Sequence, residues 1–178
     1  MTRVSAPVSL RQARQKDAGA ISTILNTQGI SRTANYRRPL STAEERLGWL
    51  ASQTAGGRPV LVAEADDEVI GFASYATFRP EDGYDMTVEH SVYVASAREH
   101  EGVGRMLMTG LIDMARADGL HAMVGVIDAA NGESRDFHRS LGFIEQGLLH
   151  EVGHKFGRWL DVCIMVLRLG DGPAPIDG

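Results

Sequence analysis

The sequence contains a single cysteine, Cys163, among 178 residues, so no disulfide bond can form within the chain. This composition fits a reducing compartment, and we expect a cytoplasmic protein. Positive charge is also scarce, because 18 Lys and Arg stand against 23 Asp and Glu, giving a formal net charge of −5. With no basic block, the sequence argues against nonspecific nucleic-acid binding. No long apolar run is present either, so neither a membrane span nor a secretion signal is predicted.

What is present is the composition of an ordinary globular protein, with 43% hydrophobic and 23% charged residues. The length suits one domain with a substantial core. We predict a flexible N-terminus over residues 1–7, a single domain over 8–169 and a flexible C-terminal tail over 170–178.

Hydrophobic periodicity predicts an α/β class with a mixed sheet (α+β), in the order β-α-α-β-β-β-α-β-α-β-β. Asp17 is expected to cap the first helix, and Ser41 with Glu44 to form a capping box for the second, buried through Leu47 and Leu50. The predicted strands are Val8–Ala13, Val60–Ala65, Val69–Phe78, Met86–Val94, His121–Ile127, Phe143–Glu151 and Leu160–Leu169. The helices are expected over Ala18–Thr27, from Ser41 to Gly56, and over Gly104–Asp118 and Ser134–Leu141.

A glycine pair between a strand and a helix is the first functional signal. The run Glu101-Gly102-Val103-Gly104-Arg105 follows the strand that ends at Val94. Glycines let backbone N–H groups approach an anion, and a helix N-terminus adds partial positive charge, so a diphosphate is a suitable ligand. The pair alone is equally compatible with a simple tight turn. A Rossmann motif would need a third glycine where Leu107 stands, and no Walker sequence is present.

Two longer stretches resemble the GNAT acetyltransferases, and within them the phosphinothricin and methionine sulfoximine acetyltransferase branch. The matching runs are Asn131–Ser134 with Phe137–Phe143, Thr87–Val94, Val152–Asp161 and Phe78-Arg79-Pro80. The resemblance extends over about Ser9 to Leu169. It implies a GNAT fold, acetyl-CoA as acetyl donor, a small-molecule amine as acceptor and a homodimer.

The resemblance also implies a coenzyme site. The pantetheine arm would pair with the strand residues Val92, Tyr93 and Val94 and with Asn131, while Ser134 would lie near the thiol. The diphosphate would lie in the turn from Glu99, whose assigned residues are His100, Glu101, Gly102, Val103, Gly104 and Arg105.

Two catalytic residues are implied in the same way. Glu89 would be the general base for the amine, directly or through water, and His138 would protonate the departing thiolate. The alternatives are a solvated carboxylate on an exposed strand face and a histidine on the exposed side of a short helix.

The implied substrate residues are Phe78, Arg79, Tyr84, Glu89, Lys155, Phe156 and Trp159. A cationic side chain among them would suit the carboxylate of an amino-acid substrate. Phe156 and Trp159 are equally compatible with loop packing or a dimer contact.

The sequence departs from the family pattern in the turn, where Glu99, His100 and Glu101 replace the usual basic, polar or glycine residues. Two carboxylates beside a diphosphate repel it, so weaker coenzyme binding is expected. The remaining histidines and Cys163 lack metal-ligand spacing, so no metal is predicted. We expect His90 in the core, and His100 and His121 at the surface.

Two further hypotheses remain open at this point. The acceptor could be another amine, such as a polyamine, an aminoglycoside or a protein N-terminus. The chain could also be a non-catalytic acyl-CoA-binding module, a reading suggested by the acidic turn.

Overall fold

The structure is a computed structural model that describes residues 7–170. The predicted flexible ends therefore lie outside the described residues, apart from Pro7 and Gly170. Within the described range the order of strands and α-helices is the predicted one. The elements are β1 (Ser9–Gln12), α1 (Ala18–Ile24), α2 (Ala43–Ala55), β2 (Val60–Ala65), β3 (Glu68–Thr77), β4 (Thr87–Val94), α3 (Val103–Ala117), β5 (Ala122–Asp128), α4 (Gly132–Ser140), β6 (Ile144–Lys155) and β7 (Arg158–Arg168).

The strands form a seven-stranded mixed sheet in the order β1-β2-β3-β4-β5-β7-β6, and the predicted fold class is confirmed. The chain divides into two units, and the boundaries between them fall within β3, β4 and α3. The first unit holds residues 7–74 and 92–111, and the second holds 75–91 and 112–170. The single domain expected over residues 8–169 stays a prediction.

In the first unit, β1, β2 and β3 pair antiparallel. The β2–β3 hairpin turns at Asp66 and Asp67, which both have positive φ (52° and 62°), as the tight turn between twisted strands requires. The core packs α1 and α2 on this sheet through buried side chains that include Ile21, Leu50 and Phe72.

Both predicted helix caps in this unit are wrong. The Asp17 carboxylate makes no cap bond to α1, because it accepts two hydrogen bonds from the Arg11 guanidinium, 2.7 and 3.0 Å long. The capping box of α2 lies one residue later than predicted: the Thr42 hydroxyl accepts from the Glu45 N–H, and the Glu45 carboxylate accepts from the Thr42 N–H, both at 3.1 Å.

Two smaller expectations in the first unit also fail. Leu47 is 41% exposed although it was expected in the core. The helical segment after α1 does not continue in α-helical form, because Leu25–Ile30 winds as a π-helix.

In the second unit, β5 lies between β4 and β7. It pairs antiparallel with β7 along its whole length, and in parallel with β4 over three residues only. β6 and β7 form a long hairpin that turns at Phe156 and Gly157, with φ values of 52° and 71°.

The hairpin extends beyond the predicted strand ends at Glu151 and Leu160. β6 continues past a bulge at residues 150–152, where Glu151 has φ 54°. The Asp161 carboxylate on β7 holds this bulge by accepting from the Glu151 N–H at 2.8 Å and contacting the His150 ring at 3.0 Å. Because these contacts depend on pairing across the hairpin, the local sequence did not reveal them.

Candidate active site

The parallel ladder between β4 and β5 is short. It comprises three residue pairs and ends where Glu89 lies opposite Val124. β5 continues through Gly125–Asp128, and this stretch has β7 as its strand partner among the described residues. Its other edge therefore carries backbone groups that the sheet does not use, which is a position where a ligand can form hydrogen bonds.

Glu89 lies at the last pair of this ladder. Its side chain is half-buried, and no hydrogen bond to its carboxylate occurs within residues 7–170. Burial raises the pKa of Glu89 above its ordinary value, while the nearby positive charge of Arg79 acts in the opposite direction. A half-buried carboxylate with a raised pKa and no partner is suited to accept a proton from a bound substrate.

Three of the predicted substrate residues lie together beside Glu89, where β3 ends and β4 begins. The Arg79 guanidinium lies 4.4 Å from the centre of the Phe78 ring, which in turn meets the Tyr84 ring edge-on at 5.7 Å. The Phe78 N–H donates to the Thr87 carbonyl at 3.1 Å, fixing this segment to β4. Arg79 and Tyr84 are exposed, so their polar groups are accessible.

The predicted acid His138 is buried rather than exposed, with 3% of its surface accessible. Its Nδ1 lies 2.6 Å from the Ser134 carbonyl oxygen, and its Nε2 lies 3.2 Å from Nε2 of His90. His90 is buried as expected, at 8% exposure. Burial lowers the pKa of both histidines, that of His90 to about 3. Both rings are therefore neutral at neutral pH.

The start of α4 carries the predicted pantetheine residue. The Asn131 side-chain oxygen accepts from the Ser134 N–H at 3.0 Å and caps the helix. Asn131 is exposed, so its amide NH₂ group remains on the accessible side of the helix start. Ser134 links this cap to the histidines, because its carbonyl is the partner of His138.

In the first unit, the glycine turn leads directly into α3. Gly102 has φ 81°, and His100 has φ 64°, a left-handed conformation that glycine adopts more readily. Helix α3 begins at Val103, which is buried, so only its backbone faces the turn. Gly104 is half-buried, whereas Glu101 and Arg105 are exposed. The turn therefore offers the backbone amides of a helix N-terminus to an anion.

The two acidic residues of this turn are paired with arginines. Glu99 lies 3.2 Å from Arg32, and Glu101 lies 2.9 Å from Arg98. The pair of Arg32 with Glu99 could not be expected from the local sequence, because the two residues are 67 positions apart in the chain. These pairs offset the negative charge that was expected to repel a diphosphate.

The strand before this turn presents mainly its backbone. The Tyr93 side chain is buried, packing on Phe72 with ring centres 5.3 Å apart and accepting a hydrogen bond from the Asn35 amide at 3.2 Å. Val92 and Val94, on either side of Tyr93, are half-buried. Any contact of Tyr93 with a ligand must use its main chain.

The last three predicted substrate residues lie at the tip of the β6–β7 hairpin in the second unit. Lys155 is buried, at 4% exposure, and its ammonium lies 5.1 Å from the centre of the Phe156 ring. Burial lowers the pKa of Lys155. Phe156 and Trp159 are 61% and 63% exposed, although the Trp159 ring lies 5.0 Å from the His154 ring across the hairpin.

Substitution of Gly102 by alanine is expected to lower the free energy of unfolding by about 1–2 kcal/mol. The added Cβ meets no atom within 4 Å, so the cost comes from the left-handed backbone alone. Urea denaturation measures the change. Gly48, a helical glycine with equally open surroundings, is the control, and Gly48→Ala should not destabilise the protein. Equal effects of the two substitutions would contradict the assigned backbone strain.

Acidification should destabilise the protein through its buried histidines. The pKa of His90 is lowered on folding, so the unfolded chain binds more protons below about pH 6.5 and stability falls as the pH decreases. His90 alone should contribute a loss of about 2 kcal/mol between pH 6.5 and pH 5. Urea denaturation across this range should show a shallower pH dependence in His90→Phe, but not in His121→Gln. An unchanged slope in His90→Phe would contradict the neutral buried state.

Within residues 7–170 no group of His, Cys, Asp and Glu side chains is arranged to hold a metal ion. In the same part of the chain, no helix has the length and apolar character needed to cross a membrane.

Comparison with known proteins gives one consistent result. Residues 10–164 match a family model described as an acetyltransferase (GNAT) domain. The chain is 41% identical over 168 residues to the L-amino acid N-acyltransferase MnaT of Escherichia coli K12, covering 94% of this chain and 98% of the relative. It is 40% identical, with the same coverage, to the L-methionine sulfoximine/L-methionine sulfone acetyltransferase of Salmonella typhimurium.

A solved structure is equally similar. A Salmonella typhimurium protein determined with its cofactor acetyl-CoA superposes with a TM-score of 0.92 at 40% identity, covering 96% of this chain and 99% of that one.

Proposed function

The chain belongs to the GNAT acetyltransferase family, and from this premise we propose that it transfers the acetyl group of acetyl-CoA to the α-amine of a small amino acid or amino-acid analogue. The predicted family, enzyme class and acetyl donor are confirmed. The observation that carries the choice of acceptor is the half-buried Glu89 carboxylate, which has no hydrogen-bond partner among the described residues and lies next to the exposed cation of Arg79.

This pair of charges matches an amino-acid zwitterion. The α-ammonium of the substrate would lie against Glu89 and its α-carboxylate against Arg79. Arginine holds a carboxylate through two parallel hydrogen bonds, which also fixes its orientation. A polyamine or an aminoglycoside has no carboxylate, and would bring a second cation towards Arg79 at a cost in binding.

Glu89 is assigned as the general base. Acetyl-CoA supplies the activated thioester. The Glu89 carboxylate accepts a proton from the substrate ammonium, which leaves a neutral amine with a free lone pair for attack on the carbonyl carbon. Its raised pKa brings the basicity of Glu89 closer to the working pH, as efficient proton transfer requires.

The coenzyme residues are assigned according to the groups they offer. The turn from Glu99 to Arg105 would hold the diphosphate through backbone amides, with Glu99 and Glu101 neutralised by their arginines. The backbone of Val92–Val94 and the Asn131 amide would bind the pantetheine, whose two amide groups need such partners.

His138 keeps its predicted role in protonating the thiolate as a proposal, with one added requirement. Nδ1 of the neutral His138 carries the proton shared with the Ser134 carbonyl, so Nε2 must leave its contact with His90 and take up a proton before it can give one to sulfur. The attacking amine would supply that proton, because it loses one proton to Glu89 and a second as the amide forms. Phe156 and Trp159 would contact the substrate side chain or a second subunit. Lys155 would contribute a buried positive charge at the same hairpin.

A homodimer is part of the proposal. β6 is the edge strand of the sheet, and it exposes several large apolar side chains together with the adjoining turn and β7. These are Ile144, Leu148, Leu149, Val152, Phe156 and Trp159. An exposed apolar edge invites association, and a second copy of the chain would cover it.

The dimer proposal predicts that Leu149→Glu yields a monomer in light scattering at micromolar concentration. Leu40→Glu, which places the same charge at another exposed leucine, should leave the dimer intact. A monomeric wild-type protein would refute the proposal.

The cytoplasmic location, with small molecules rather than membranes or nucleic acid as partners, is likewise proposed, from the lone cysteine and the acidic net charge.

The function is tested by thiol release from acetyl-CoA over a panel of acceptors. The panel contains amino acids, methionine sulfoximine, methionine sulfone, phosphinothricin, polyamines, aminoglycosides and short peptides with a free N-terminus. We expect the highest kcat/KM with an amino acid or its analogue. Preference for a polyamine, an aminoglycoside or a peptide would overturn the acceptor assignment. Acetyl-CoA binding without turnover of any amine would favour the non-catalytic module.

A further inference from the structure

Arg98 lies directly before the glycine turn, at the end of a short 3₁₀-helical segment, Ser96–Arg98. The Arg98 N–H donates to the Ala95 carbonyl, and the Ala95 N–H donates to the Ile70 carbonyl on β3, both at 2.8 Å. These two bonds fix the backbone of Arg98 to the sheet of the first unit. The base of its side chain is therefore held in one place beside the turn.

The Arg98 side chain is mostly buried, with 19% of its surface exposed. Two of its nitrogens, Nε and Nη2, are buried and make no hydrogen bond to any group of residues 7–170. Nε lies 2.9 Å from Oε2 of Glu101, so the two charges attract each other without the alignment of a hydrogen bond. Buried N–H groups that lack an acceptor are costly and indicate a missing partner.

The two nitrogens without an acceptor belong to the same edge of the guanidinium. Their N–H bonds on this edge run parallel, which is the geometry that binds two oxygens of one anion. A phosphate group offers such a pair of oxygens. Glu101 makes its contact at Nε, and its side chain is 45% exposed, so its carboxylate can turn into water when another anion approaches.

We propose that Arg98 is a further coenzyme-binding residue, which holds the diphosphate of acetyl-CoA through its Nε and Nη2 edge and gives up its contact with Glu101 in exchange. This inference rests on the proposed function, in which the turn from Glu99 to Arg105 binds the diphosphate. The backbone amides of that turn supply partial positive charge only. Arg98 adds one full positive charge, which favours the anion where the turn itself carries two carboxylates.

Calorimetric titration with acetyl-CoA, without an acceptor amine, measures this contribution. Arg98→Gln should raise Kd about 10–100-fold, because two charge-assisted hydrogen bonds are lost. Arg98→Lys should recover only part of the affinity, since an ammonium lacks the two parallel N–H groups. Arg168→Gln, which removes one exposed positive charge elsewhere, is the control and should bind as wild type does. Wild-type affinity in Arg98→Gln would overturn the proposal.

A double-mutant cycle separates phosphate binding from simple screening of the Glu101 charge. Glu101→Gln alone should bind acetyl-CoA about two- to five-fold more tightly, because a competing carboxylate is removed. In this background Arg98→Gln should still raise Kd about 10–100-fold. If the effect of Arg98→Gln disappeared in the Glu101→Gln protein, Arg98 would only screen Glu101, and the proposal would be wrong.

A titration with 3′-dephospho-CoA identifies the phosphate that Arg98 binds. This ligand keeps the diphosphate, so Arg98→Gln should weaken its binding by the same factor. An effect seen with CoA but not with 3′-dephospho-CoA would assign Arg98 to the 3′-phosphate and overturn the diphosphate contact. A wild-type protein that binds no acetyl-CoA would contradict the proposed function itself, whereas equal binding by wild type and Arg98→Gln would contradict only the role of Arg98.

Discussion

Replacing Glu89 by glutamine is expected to lower kcat by about 10²–10⁴-fold, the usual contribution of a general base. The glutamine side chain has nearly the same shape but cannot accept the ammonium proton. Because no hydrogen bond engages the Glu89 carboxylate within residues 7–170, the substitution should leave the fold intact. Stopped-flow and steady-state thiol release measure the rate, and calorimetry should show an unchanged acetyl-CoA affinity.

The pH dependence of kcat/KM provides a second test of Glu89 as the base. The base acts only when deprotonated, so wild-type kcat/KM should fall as the pH decreases through the raised pKa of Glu89. The Glu89→Gln variant should lack this acidic limb, so the ratio of the two rates should be greatest at high pH. Glu68→Gln, at an exposed position on β3, is the control. Activity of Glu89→Gln within two-fold of wild type would exclude Glu89 as the base.

Replacing Arg79 by glutamine should raise KM for substrates that carry a carboxylate. A charge-assisted hydrogen bond contributes about 1.5–3 kcal/mol, so KM for an amino acid should rise about 10–150-fold. The carboxamide of the same amino acid, which is uncharged at that position, should be affected far less. Arg79 is exposed and stacks only on Phe78, so the variant should fold normally.

The control for Arg79→Gln is Arg168→Gln, which removes one positive charge from an exposed position at the end of β7. It should leave both KM values unchanged and thus exclude a general electrostatic effect. If Arg79→Gln raised KM equally for the amino acid and its carboxamide, the guanidinium would not be the carboxylate ligand.

The sequence predicted best what depends on near neighbours. The β2–β3 turn at Asp66-Asp67 and the end of α2 at Gly56 follow from local backbone preferences, and both were located correctly. The predicted Asp17 cap is wrong because the Arg11 guanidinium on β1 binds the Asp17 carboxylate. The same guanidinium also binds the Glu64 carboxylate on β2. The two hydrogen bonds between Arg11 and Asp17 are more stabilising than a single cap bond. Glu64 is 53 residues from Arg11, so the local sequence does not indicate that the two side chains interact.

In the candidate site, too, contacts between residues that are distant in the chain could not be predicted from the sequence. Glu89 and Arg79 were found from motifs, and the structure adds the burial and the electrostatic contact between them. The contact between His90 and His138 could not be predicted, because the two residues are 48 positions apart in the chain. His90 is buried as expected, but nothing in the local sequence indicates that His138 is its partner.

A competition among three acceptors that differ only at the carboxylate position tests whether the protein selects an amino-acid zwitterion. Methionine sulfone, its carboxamide and the corresponding amine without a carboxyl group are mixed in equal amounts with acetyl-CoA and the protein, and the acetylated products are quantified by mass spectrometry. We expect N-acetylmethionine sulfone to be the dominant product. Equal or faster acetylation of the amine that lacks a carboxylate would contradict it.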